Sequence, residues 1–131
     1  MGGETDLGRL LRTMTPELRA SSYVFTTVRE PPAGITPLVT VREDEGVTLV
    51  LERAAADRLG LGYDYVAAMI TLRVHSALEA VGLTAAVAAK LADAGISCNV
   101  VAGYHHDHLF VPADRGAEAV DLLRELAASA V

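Results

Sequence analysis

Four histidines stand in two places: His75 alone, and His105, His106 and His108 within the string HHDH. Imidazole ligates metals and titrates near neutral pH. Three histidines are a ligand count found in zinc sites, so His75, His106 and His108 are weak metal candidates if the fold brings them together. The same three would look alike as interface residues paired with carboxylates or carbonyls, or as a proton-linked switch. Asp107 is a weaker candidate, because it points to the other side of a strand from its neighbours.

A second set of groups lies in the string HSALEAVGLT, residues 75–84. Gly82 stands where a helix opens. The amides of Val81, Gly82, Leu83 and Thr84 then face the positive end of the helix dipole and suit a carboxylate. Gly82 lets a ligand approach the backbone closely. Glu79 could pair with an ammonium, and Arg73 could clamp a carboxylate. Together these suit a zwitterion. Equally, Gly82 could be a bare helix start, Glu79 a solvated side chain and Arg73 a partner in a salt bridge.

Catalysis finds little support. Ser76 adjoins His75, but neighbours on a strand point to opposite faces, a poor arrangement for nucleophile and base. Cys98 shares a face with Ile96 and Val100 and reads as a small buried apolar side chain. No phosphate-loop, nucleophile-elbow or paired-histidine zinc motif occurs, and no cofactor is implied.

The elements that position these groups follow from periodicity. Asp6 caps a short helix carrying Leu7, Leu10 and Leu11, with an end near Pro16. Residues 22–28, SYVFTTV, read as a strand. Residues 38–42 and 47–52 form a hairpin around Gly46. Residues 53–59 form a helix stopped by Gly60. Residues 69–75 alternate: Ile70, Leu72 and Val74 one way, Thr71, Arg73 and His75 the other. Leu83, Val87, Leu91 and Ala94 make one helix stripe, closed by Gly95. Residues 96–102 and 106–111 read as strands around a turn at Gly103 and Tyr104. Asp114 caps a last helix whose Ala117, Val120, Leu123 and Ala127 share a face.

The second half is thus β-α-β-β-α, a ferredoxin-like order lacking its fourth strand. The missing edge could come from the first half or from a partner chain, since a bare edge invites aggregation. In that sheet, order 4-1-3-2, the end of the first strand lies beside the start of the third. His75, His106 and His108 then share one end of the face turned away from the helices. Thr71, Arg73, Ser97, Asn99, Val101 and Phe110 share that face, which suits a packed surface with a pocket.

Composition bounds the rest. The chain has 131 residues, a formal charge of −6, 51% apolar residues and a mean hydropathy of +0.31. It is one domain's worth of chain or two small lobes. The acidic balance argues against nucleic acid and anionic lipid. One cysteine excludes an internal disulfide and suits a cytoplasmic protein. No apolar run reaches the roughly 20 residues of a membrane span. The start MGGETDLGRL does not read as a signal peptide. The apolar excess points to a further buried surface such as a homodimer interface.

The stretch VGLTAAVAAKLADAGISCNVVAGYHHDHLFVPADRGAEAVDLLREL resembles an ACT domain, in particular the regulatory ACT modules of aspartate kinases. The features are a glycine opening a helix, a small-residue helix face, "AGI" entering the second strand, Asn99 inside it and a short hairpin after it. With YVFTT and EDEGVTLVLE, the chain is similar to small free-standing bacterial ACT-domain proteins of uncharacterised function, over roughly residues 7 to 127. The resemblance implies an α+β protein of two small ACT-like lobes, residues 1–65 and 66–131, with antiparallel sheets. It implies a non-catalytic regulatory module that binds an amino acid or related metabolite, pairs as a homodimer and acts allosterically. It places the ligand at residues 75–84, including His75, Ser76, Glu79, Val81, Gly82, Leu83 and Thr84, and at Asn99. Aspartate kinases carry a catalytic domain that these residues lack, so the regulated activity stays open. The alternatives are a ligand-free dimerisation module and a small metal-binding protein or enzyme using the histidines.

Overall fold

The computed structural model describes residues 6–74 and 80–130. In chain order these form α1 (Leu7–Thr13), β1 (Thr15–Val28), β2 (Val39–Glu43), β3 (Gly46–Glu52), α2 (Arg53–Leu59), β4 (Val66–Arg73), α3 (Leu83–Asp93), β5 (Asn99–Ala102), β6 (Asp107–Pro112) and α4 (Gly116–Ser129). They fall into two compact units. One gathers the chain up to Arg19 with the chain from Ala68 onward; the other is Ala20–Ala67. The division expected from chain order, 1–65 and 66–131, therefore differs at the N-terminus. There α1 buries Leu10 and Leu11 in the core of the second half.

In the first unit the strands run β1-β4-β6-β5, with β1 represented by residues 15–19. This is the 4-1-3-2 order, with the start of β1 in the place of the absent fourth strand. The missing edge thus comes from the same chain. Ile70 and Leu72 of β4, and Val74 just after it, face a core with Leu83, Val87 and Leu91 of α3 and Val120 and Leu123 of α4. Alternation also sends Leu109 and Val111 of β6 into it. The opposite face is not open at its centre, since Thr71 is 1% exposed and Phe110 0%.

The second unit has strands β2-β3-β1 and helix α2 around Val24, Val47, Leu49, Leu51 and Ala56. The hairpin closes at Glu43↔Gly46, as expected.

Helix ends explain several boundary corrections. Gly95 takes φ 74°, its N–H donates to Ala92, and the Ile96 N–H donates to Leu91 at 3.0 Å. Ile96 and Leu91 are both buried, so the pair completes a Schellman closure with its apolar contact. Ile96 therefore ends a helix, and the strand expected over 96–102 is shortened to β5. Gly60 closes α2 in the same way through Leu61 and Ala56. Pro16 does not merely stop α1. It forces Thr15 to be extended, and the strand begins there, seven residues before the expected 22. Asp114 is not a helix cap. It lies in a short 3-10 turn, and α4 has no side-chain cap. The buried face of α4 is Gly116, Ala119, Val120 and Leu123, whereas Ala117 is exposed.

Candidate functional site

The predicted groups divide between three places. Arg73 ends β4 on the face away from the helices. Its Nε donates to Glu17 Oε1 at 2.7 Å, and Arg19 Nη1 lies 3.6 Å from the same oxygen. Arg73 is thus a partner in an intrachain ion pair. Arg19 Nη1 also donates to Thr71 Oγ1 at 3.3 Å, and Thr71 Oγ1 lies 3.1 Å from His108 Nδ1. A guanidinium only donates, so the Thr71 oxygen accepts from Arg19, while its bond with His108 Nδ1 runs in the direction that the ring's tautomer sets. A row of polar groups thus crosses β1, β4 and β6.

Electrostatics agree with a neutral His108. Burial lowers its pKa first, and the charges of His106, Arg19 and Arg73 lower it further, while Asp107 opposes them. Asp107 is pushed up by burial, against the nearby histidines. His106 Nδ1 is buried with no hydrogen-bond partner among the described residues. Burial likewise raises the Cys98 thiol, which disfavours a thiolate. Cys98 packs half-buried against the core.

The second place is the start of α3. Gly82 is its N-cap at φ 102°, with no side-chain cap, and Ala86 N–H donating to Gly82 O opens the ladder. The first-turn amides therefore lack helical acceptors. Leu83 turns its side chain into the core at 4% exposure, so only its amide is available. Thr84 is exposed, and Val81 is 83% exposed. A Cβ on Gly82 would come within 3.0 Å of Leu7. His75, Ser76 and Glu79 lie outside the described residues. The third place is Asn99, exposed on the edge strand β5 opposite Phe110.

A cleft of about 500 Å3 borders the start of β1 and α4, with Glu17, Leu18, Arg73, Val120 and Arg124 in its wall. Glu17 and Arg19 escape the sequence reading, because β1 starts at Thr15 and not at residue 22. The alternation of polar Thr15, Glu17 and Arg19 with apolar Pro16, Leu18 and Ala20 is the signal that the sequence carries. Among the described residues no group of three His, Cys, Asp or Glu could hold a metal ion. No helix among them is long and apolar enough to cross a membrane.

Two family models, both for the ACT domain, match the chain, one over residues 2–68 and one over 65–125. Among curated proteins none matches. A protein of unknown function from Vibrio cholerae, described as a possible transport protein, is 50% identical over 92% of this chain and 95% of its own, with a TM-score of 0.84. A protein from Agrobacterium tumefaciens is 20% identical over 87% of this chain and 89% of its own, with a TM-score of 0.66. The ligand-free regulatory subunit of aspartate kinase from Thermus thermophilus is 10% identical over 88% of this chain and 97% of its own, with a TM-score of 0.66. At such identities the last two show the fold alone.

Proposed function

The chain belongs to the ACT-domain family, with two ACT repeats in an α+β ferredoxin-like arrangement, and from that premise we propose that it senses an amino acid or a related metabolite without catalysing a reaction. ACT domains are regulatory, ligand-binding modules. The observation that carries the finer reading is the start of α3. It offers first-turn amides without a side-chain cap, behind a glycine at φ 102° and beside an exposed Val81. Such an end accepts a carboxylate. In this reading Val81, Gly82, Leu83 and Thr84 contribute backbone, and Glu79 takes the ammonium. His75, Ser76, Arg73 and Asn99 complete the recognition surface. The protein works in the cytoplasm as a homodimer, and differential affinity for two assembly states couples ligand to output.

A thermal-shift screen against the twenty amino acids tests this. A ligand at about 100 times its Kd adds roughly 2.7 kcal/mol of stability, which moves Tm by several degrees. A selective shift with one amino acid, abolished in Glu79→Ala, is the expected result. No shift with any amino acid overturns the sensor reading and leaves an interaction module.

A further inference from the structure

In the first unit, taken by itself, residues 15–19 of β1 form one edge of the sheet, with β4 on their inner side. Pro16 lacks an N–H, and proline sits on an edge strand with that missing donor turned outward, where no ladder needs it. Alternation then turns the backbone groups of Leu18 outward as well.

Leu18 is 43% exposed beside the cleft lined by Val120 and Ala117. Glu17 and Arg19 flank it, at 45% and 40% side-chain exposure. We propose that this edge pairs antiparallel with the same segment of a second copy, about a two-fold axis through Leu18. Leu18 exchanges both backbone bonds with the partner's Leu18, and the Ala20 N–H donates to the carbonyl of the partner's Pro16. Glu17 then stands directly opposite the partner's Arg19, and Arg19 opposite the partner's Glu17. The sequence around Leu18 is thus self-complementary in charge, as an isologous interface requires. The leucines of the two copies enter the cleft beside Val120. The proposal rests on the homodimer in the function proposed above and names its surface.

The test compares Leu18→Cys and Ala20→Cys, both in a Cys98→Ser background, with light scattering on the unaltered chain. The pairing puts the two Leu18→Cys thiols face to face, so most of that variant runs at twice its mass on a non-reducing gel. The two Ala20→Cys positions stand about 13 Å apart along the strands, beyond disulfide reach, so that variant stays single. An unaltered chain that is dimeric while Leu18→Cys fails to cross-link removes this edge and leaves the homodimer standing. Equal cross-linking of both variants overturns the register. A chain monomeric at all concentrations removes the homodimer itself, and this edge with it.

Discussion

Arg73 Nε donates a 2.7 Å hydrogen bond to Glu17 Oε1 across 56 residues of sequence. The pair joins the end of β4 to the start of β1, the strand that completes the first unit's sheet. Both side chains are about half exposed, at 48% and 45%. The pair therefore stabilises the fold by no more than about 1 kcal/mol. Its interest is competitive, since Glu17 already neutralises part of the guanidinium charge that a second carboxylate would use.

This gives opposite outcomes for the two partners. Glu17→Gln frees Arg73 and strengthens binding of the amino acid that raises Tm. Arg73→Ala weakens it. Calorimetric titration of both variants measures this, and unchanged affinity in both takes Arg73 out of the site.

Acid stability depends on His108. Its folded pKa lies below the ordinary 6.5, so the unfolded chain binds its proton first. The stability it contributes is present above about pH 6.5 and is lost as pH falls through the lowered value. Asp107 acts with the opposite sign. Its raised pKa means that protonation relieves a buried carboxylate, and stability returns as pH falls through that pKa toward 3.8. Urea unfolding of His108→Asn between pH 7 and 5 should show a flatter slope than the parent, because the amide can keep a hydrogen bond with Thr71 without titrating. An equal slope assigns the acid sensitivity elsewhere.

Gly82 is the position where α3 cannot accept a side chain without strain. Its φ is 102°, and a Cβ would meet Leu7 Cδ2 at 3.0 Å. Gly82→Ala should cost roughly 1–3 kcal/mol and lower Tm by several degrees. A Tm equal to the parent's contradicts this backbone conformation.

Leu10 tests the assignment of α1 to the unit built by the second half. It is fully buried among residues of α3, α4 and β4. Leu10→Ala should destabilise by about 2–5 kcal/mol, whereas Leu7→Ala, at 36% exposure, should cost far less. Equal small losses in guanidinium melts would place α1 outside that core.

The sequence by itself determined the local features. The hairpin at Gly46, the helix stops at Gly60 and Gly95, and the face of β4 carrying Ile70 and Leu72 all depend on neighbours a few residues away. Turn chemistry and side-chain periodicity are written at that range. The ACT resemblance was legible for the same reason, since its features follow one another along the chain. Tertiary structure decided what depends on partners distant in sequence. That β1 supplies the fourth strand, that Arg73 answers to Glu17 and that Thr71 is buried against His108 are pairings across 37 to 56 residues. No periodicity encodes them. Ile96 shows the boundary between the two kinds of information. Its β-branched side chain favours a strand, but the bond from its N–H to Leu91 and their shared burial hold it at a helix end, because tertiary packing outweighs a β preference spanning only about 1 kcal/mol.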